Sequence, residues 1–473
     1  MQDYGNDNLT HDPIHGYIPF TADAGPGEVS ERQIIDHPWV QRLRHIHQLQ
    51  TAWWVFPSAE HTRFQHVLGA MHLGSRAIER LYDSLKASAP DVPSRAYVES
   101  LVRMAGLLHD VGHGPFGHFF DEHFLSGYGE THETLGARII REHLGDLIRG
   151  LRRNPQGRLE PHEQLDPDQV AWLIQRPRAV PSQSTGKSAG ANGPPRWLHF
   201  LRSLLSGIYT IDNLDFVLRD AYMSGYSPRA YDIDRLLHYT FFTEQGLTIH
   251  DRGIDALLRF ISVRAELFRS IYFHRTVRAI DLSLADAFEA SKSAIFPGNP
   301  AERLDEYLHF TESSLLVDVA RWARSDQTQL REYGQLWRQL LERRLPWRMV
   351  CQRVLVFGEQ DAERSSIFSE PKLVEQQLRR GLPVNLREEP LRVDIARHIF
   401  RPHTRGPVAG QNFLYDSAQR KVKQLQANQL FQRLPLSHRI CRVYAHTSEH
   451  ASVIAASLDA LIGGAAQDDL TNM

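Results

Sequence analysis

Residues 105–121 read AGLLHDVGHGPFGHFFD, and this stretch decides the fold. It closes a run in which Leu101, Met104, Ala105 and Leu108 recur at three- and four-residue steps, the period of a helix with one buried face. At the end of that apolar run stands an adjacent pair, His109 and Asp110. Two polar groups placed there are costly to bury unless they pair or bind a metal. Gly112, Gly114 and Gly117 follow, with Pro115 among them. They stop the helix and let the backbone approach a ligand closely.

Upstream the same period holds for Val67, Leu68, Met71 and Ile78, and before them for Ile34, Ile35, Trp39, Leu43 and Ile46. Residues 31–141 are therefore predicted to be helical. The turn-rich residues 1–30 are predicted to form an irregular arm with a short hairpin near HGYIP at 15–19. Residues 178–195, RAVPSQSTGKSAGANGPP, are polar and aperiodic, which predicts a mobile surface insertion. Helical spacing resumes at Trp197 and continues through Asp212 and 254–290. Strand-like patterns are brief, near Tyr239–Ile249 and Arg353–Phe357. A helical stretch to Leu345 precedes a mixed tail that closes with a helix over Glu449–Ile462. The expected class is mainly α with a few short strands and a mixed C-terminal region.

At 473 residues the chain exceeds what one hydrophobic core usually serves, so one large domain with an appended piece, or two domains, is expected. Its 42% hydrophobic and 23% charged residues suit a globular protein and not a disordered one. Cys351 and Cys441 are too few for a disulfide framework or a thiolate metal site, which fits a reducing compartment. A net charge of −2 excludes a generally basic nucleic-acid binder, though not a local patch. No apolar run approaches the roughly 18 residues of a membrane helix. The first residues, MQDYGNDNLTHDP, carry no signal pattern. A cytoplasmic protein without membrane contact is the expectation.

The chain has 25 histidines, crowded between His61 and His132. Imidazole and carboxylate without thiolate make a ligand set for zinc, iron, manganese or nickel. His66, in HTRFQH at 61–66, and Asp212, in IDNLD at 211–215, would complete four protein ligands with His109 and Asp110. Two positions would remain for water and substrate, where such an ion acidifies water and polarises a phosphoryl oxygen. His113, His118 and His132 are extra titratable groups beside it, suited to proton transfer or to holding an attacking water. His61, His72 and His123, taken singly, read as surface or satisfied core residues.

Together these pieces resemble the HD-domain phosphohydrolase superfamily, whose ligands fall at His66, His109, Asp110 and Asp212. DPIHGYIPF (12–20), IIDHPWVQRLRHIHQLQ (34–50), VFPSAEHTRFQHVLGAMHLG (55–74), AGLLHDVGHGPFGHFFD (105–121), THE (131–133), LDFVLRDAYMSG (214–225) and RSIYFHRTVRAID (269–281) resemble the deoxynucleoside triphosphate triphosphohydrolases more closely. The resemblance spans roughly residues 10–290, with a domain at 31–300. It implies conversion of a dNTP to deoxynucleoside and inorganic triphosphate by attack at the α-phosphorus. It assigns His113, His118, Asp121 and His132 to a catalytic cluster around the attacking water. Gln48 and Leu49 would lie near the sugar, Arg63 on the phosphates, and Asp220, Arg264, Tyr272 and His274 along the sugar and phosphate pocket. Arginine forks grip phosphate, and buried polar groups reject a sugar that leaves them unpaired. The implied cofactor is a divalent metal (Mn, Fe, Zn, Ni or Mg), with a further Mg on the phosphates.

Two departures bear on the phosphate tail. Asn213 stands where the family often has a basic residue, and Phe216 where it often has tyrosine; Arg275 or Arg278 would have to compensate. The resemblance also implies a nucleotide effector at Asp36, Gln41 and Arg44, a second near Arg235 and Arg252, and a homo-oligomer, dimer or tetramer. Residues 301–473, expected to be mostly helical, would complete the oligomer and cover the site. Two alternatives stand beside this reading. One is a nucleotide phosphohydrolase or phosphodiesterase acting on another nucleotide. The other is a nucleotide-sensing or nucleic-acid-binding module with a vestigial site, for which Arg343-Arg344 and Arg379-Arg380 would permit accessory single-strand binding.

Overall fold

The computed structural model describes residues 7–175, 193–357, 367–399, 412–425, 428, 430 and 437–462. Its spine is a pair of packed helices, Arg63–Ser88 and Arg95–Leu108. Thr62 and Gln65 form a capping box on the first, and Ser94 caps the second by accepting from the Tyr97 N–H. A third helix, Ile211–Met223, lies against the first and begins at Thr210, whose side chain accepts from the Asn213 N–H. These starts place the metal-type residues at helix ends around one point: His66 in the first turn of one helix, His109 just past the end of the next, Asp212 in the first turn of the third.

The N-terminal residues are more ordered than an irregular arm. Asp7–Asp12 and Gly16–Thr21 pair antiparallel in a full hairpin, with Asp7 opposite Thr21 and Asp12 opposite Gly16. Strands expected near 239–249 are present as Thr240–Thr243 and Gly246–His250; Phe413–Asp416 and Lys421–Gln424 extend them to a four-stranded sheet.

Downstream of residue 300 the helices Leu304–His309, Glu312–Trp322 and Thr328–Leu341 pack on the same core as the spine, with Tyr307 and Trp337 fully buried. Beyond them the mixed tail is an α+β unit, in which the strand expected near Arg353–Phe357 and the closing helix are both present. Arg348–Phe357, Ser437–Ala445 and Leu391–Ile399 form an antiparallel sheet with Ser437–Ala445 in the middle. The helices Pro371–Gly381 and Ala451–Ile462 cover one face, over a small core of Cys351, Val374, Leu378, Val443 and Leu458. The alternation Leu391, Val393, Ile395 against Arg392 and Asp394 is the strand pattern. Helices dominate throughout, and the chain is mainly α. Most of the insertion expected at 178–195 lies outside the described residues. Among those described, no helix is long and apolar enough to cross a membrane.

Candidate active site

Two imidazoles face each other where the helix ends meet. His66 Nε2 lies 3.2 Å from His109 Nε2 and 3.2 Å from Asp212 Oδ1. His109 Nε2 is 3.3 Å from Asp110 Oδ1 and 3.6 Å from Asp212 Oδ1. The opposite nitrogens are committed. His109 Nδ1 donates to the Gly106 carbonyl at 2.9 Å, and His66 Nδ1 donates to the Asp215 carboxylate at 2.8 Å. Neither acceptor has a proton to give, so both Nε2 atoms turn lone pairs toward one point.

A cation satisfies that arrangement. Donors about 2.1 Å from one ion and at right angles stand about 3.0 Å apart, close to the spacings found. Burial pulls both imidazoles toward the neutral form. Asp212 and Asp215 nevertheless raise His66 to about 10, and Asp110 and Asp212 raise His109. The surroundings thus demand positive charge at this point. Burial resists ionisation of Asp110 and Asp212 too. The neighbouring histidines, joined at Asp110 by Arg63, hold both below the usual carboxylate range. His66, His109 and Asp212 converge as a set able to hold a metal ion, with Asp110 Oδ1 beside them.

Arg63 opens the ligand helix and bonds Asp110 Oδ2 through Nη1 at 2.6 Å, leaving Oδ1 for the centre. Room for its guanidinium comes from Gly117, where φ is +56° and a Cβ would lie 2.3 Å from Arg63 Nη2.

Next to the centre sit His113, His118, Asp121 and His132. His132 Nδ1 makes a short bond to Asp121 Oδ2, and His118 Nδ1 is 3.4 Å from the same oxygen. Burial resists Asp121's charge, yet hydrogen bonds from His118 and His132 hold it well below the carboxylate range. His132 Nδ1 therefore carries the proton, and its Nε2 is free to exchange one. His113 is fully buried and stacks on His132 with ring centroids 3.8 Å apart. Burial, with Arg63 and His132 nearby, keeps it neutral. These four residues also converge closely enough to hold an ion. The Arg63 guanidinium, whose charge lowers both His113 and His118, disfavours a second cation there.

Both groups open on one cavity of about 510 Å³, within the range of small-molecule sites. Gln48, Leu49, Asp220 and Tyr272 line it with Arg63. The loop carrying Gln48 is pinned beside the ligand helix by Gln48 N–H to His61 O at 3.0 Å and Arg63 N–H to Ile46 O at 3.0 Å. Gln48 Oε1 is buried without a hydrogen-bond partner among the described residues. Asp220 accepts from Tyr272 at 2.5 Å and from His61 at 2.8 Å, so His61 is a buried residue that orients a pocket acid.

Other expected residues lie elsewhere. His274 does not line the cavity; it caps a helix by accepting from the Thr276 N–H. Arg264 stands behind the wall, bonded to the Ile208 carbonyl at 3.2 Å, near enough to feel the charge of Asp212. Asn213 and Phe216 line the cavity, as does Arg278, which is paired with Asp281 and Asp394. Asp36 pairs with Arg32, while Gln41 and Arg44 bond each other at 2.7 Å. Arg235 bonds the Arg252 carbonyl at 3.3 Å. Arg379 is spent on Glu375 and the carbonyls of Arg387, Glu389 and Leu391.

Sequence reasoning gave no role to Asp215, although it ends the IDNLD motif. Its i,i+4 spacing to Arg219 was the available signal. Asp12, His15 and Asp281 were missed as well.

Comparison with known proteins agrees with this geometry. A model of the HD domain matches residues 63–176. The deoxynucleoside triphosphate triphosphohydrolase SAMHD1 of Bos taurus is 26% identical over 482 residues, covering 95% of this chain and 76% of the bovine protein. The SAMHD1 homolog of Dictyostelium discoideum is 26% identical over 314 residues, 65% of this chain and 54% of that protein. A hypothetical protein from Aquifex aeolicus superposes with a TM-score of 0.65 at 23% identity, over 96% of this chain and all of its own, which shows the shared fold. The chain is a hydrolase with an HD domain at residues 63–176, and over 95% of its length it is similar to a deoxynucleoside triphosphate triphosphohydrolase.

Proposed function

We propose that the chain hydrolyses deoxynucleoside triphosphates at the α-phosphorus, releasing deoxynucleoside and inorganic triphosphate. The observation that carries this reading is the opening of the donors His109, Asp110 and Asp212, with His118 and His132 beside them, on one nucleotide-sized cavity. A divalent ion held by the four donors would supply Lewis acidity toward a phosphoryl oxygen and acidify water. The chain's own groups do the rest. Arg63 orients a phosphoryl oxygen opposite Asp110. His132, held by Asp121, exchanges a proton at Nε2, with His118 beside it. Water adds at phosphorus, the bond to the 5′-oxygen breaks, and the cluster returns a proton to that oxygen. Gln48 and Leu49 pack against the sugar, where a 2′-hydroxyl would be crowded. Asp36, Gln41 and Arg44 would seat a nucleotide effector, and the active form would be an oligomer.

A second reading is favoured by charge. The arginines lining the cavity, Arg63 and Arg278, are both in ion pairs, and Asn213 and Phe216 add no cation. A phosphoester with a shorter tail suits that wall. Product analysis separates the two. Protein with manganese or magnesium is incubated with each dNTP, NTP and dNMP, alone and with GTP or a second dNTP, and resolved by ion exchange. Intact triphosphate with deoxynucleoside supports the first reading. Inorganic phosphate from a monophosphate, with dNTPs untouched, supports the second.

A further inference from the structure

The N-terminal hairpin reaches the metal-type donors from outside the segment that bears them. Asp215, one turn after Asp212, is fully buried and accepts four hydrogen bonds. Arg219 gives two, Nε to Oδ2 at 2.8 Å and Nη2 to Oδ1 at 2.9 Å. His66 Nδ1 gives one to Oδ2 at 2.8 Å, and His15 Nε2 one to Oδ1 at 2.7 Å. The remaining Arg219 nitrogen, Nη1, bonds Asp12 Oδ2 at 2.8 Å. The other Asp12 oxygen accepts the backbone N–H groups of Ile14 and His15, both at 2.9 Å, and so closes the turn that aims the His15 ring. The side chains of His15, Asp215 and Arg219 are at most 1% exposed.

Space for this cluster is cut into the ligand helix. At Gly69, three residues after His66, a Cβ would lie 1.9 Å from Asp215 Oδ1 and 2.5 Å from Arg219 Nη2. A carboxylate behind a metal-binding imidazole fixes its tautomer and aim. A buried carboxylate keeps its charge and orientation only while it is itself paired. Asp215 draws that support from Arg219 and from His15, and the turn that presents His15 is built by Asp12.

We propose that the hairpin Asp7–Thr21 is a retention clamp for the metal, acting through Asp12 and His15 on Asp215 and through Asp215 on His66. The proposal rests on the metal-site reading above. Asp12 and His15 are positioning residues, since neither lines the cavity.

The test uses the full chain loaded with Mn(II), its metal content after gel filtration, and the rate of metal release to excess chelator. The variants are His15→Phe, Asp215→Asn and Gly69→Ala, with His11→Ala, an exposed change on the same hairpin, as control. Melting curves of the metal-free proteins are recorded alongside, and release is read where all are folded. Expected is release roughly 10–100-fold faster from Asp215→Asn and Gly69→Ala, and clearly accelerated release from His15→Phe, with His11→Ala at the wild-type rate. Asp215→Asn also strands part of the Arg219 pairing, so His15→Phe, which leaves that pair intact, decides if the former fails to fold. A His15→Phe protein that melts lower but releases manganese at the wild-type rate overturns the clamp and leaves the metal site standing. Wild-type protein that takes up no manganese overturns both.

Discussion

Asp121 divides the labour of the cavity, because it touches His132 and His118 and none of the nitrogens that face the metal point. Asp121→Asn is therefore expected to keep metal content and lose about 10²–10⁴-fold in turnover, the usual worth of a general acid–base group. Asp110→Asn should lose the metal as well, which elemental analysis of the two purified variants distinguishes. His72 supplies a residue-scale test of stability. Burial and the nearby charges of His15, Arg76 and Arg103 press its pKa down to about 3. An unfolded chain takes up that proton near pH 6.5. The fold refuses it, so stability falls as pH drops from about 6.5 toward about 3, by up to about 1.4 kcal/mol per pH unit. His72→Gln should flatten the slope of melting temperature between pH 6.5 and 5. The metal-type residues could be read from sequence because HD-x-G-H, R-F-x-H and I-D carry their chemistry in local spacing. Asp215 could not, because its meaning lies in His66 and His15, 149 and 200 residues away.

Among elements, the best-tied junction is Arg103. Its guanidinium bonds both oxygens of Glu31, the hydroxyl of Ser75 and the Pro19 carbonyl, joining the hairpin, the Glu31–Ile35 helix and both spine helices. Glu31 returns the favour to the hairpin by accepting the Thr21 N–H at 3.0 Å. Arg103 and Glu31 are fully buried. Removing one partner of such a pair leaves an uncompensated charge. Glu31→Ala is expected to cost about 3–5 kcal/mol in denaturant unfolding. The helices of this region were legible because Val67, Leu68, Met71 and Ile78, and Leu101, Met104, Ala105 and Leu108, keep the 3.6-residue period even with polar residues such as Arg103 buried among them. Of the C-terminal strands only the stretch near Arg353–Phe357 was legible. Gln352, Arg353 and Arg442 are buried in them, and these polar residues break the two-residue alternation that sequence reading relies on. Their partners come from other elements, as Asp459 does for Arg353, so no local pattern announces them.

At the scale of the whole molecule the C-terminal sheet is sewn to the helix Arg275–Ile295 that walls the cavity. Asp394 takes Arg278 at 2.6 Å, Tyr444 bonds the Arg275 carbonyl at 2.9 Å, and Trp347 bonds Asp286 at 2.8 Å. Arg278 in turn holds Asp281, which accepts from Thr51 and Gln50 beside the cavity residues Gln48 and Leu49. Asp394→Ala should leave metal content unchanged, lower stability by about 1–3 kcal/mol and raise KM more than it lowers kcat, since the pocket wall loosens while the reacting groups stay put.

Glu312 gives the chain a timetable. Its buried carboxylate accepts the Phe116 N–H inside the glycine-rich turn and holds His47 and Trp53 beside it. Phe116 precedes it by 196 residues. At about 5–20 residues per second, a ribosome needs roughly 10–40 s to travel from one to the other. Throughout that interval the nascent chain already contains His66, His109 and Asp110, and Arg42 can take the His113 carbonyl, yet the turn still lacks its bonds to Tyr307 and Glu312. Asp212 emerges midway. The donors of this protein are written early in the message, and the glutamate that closes the turn beside them is written late.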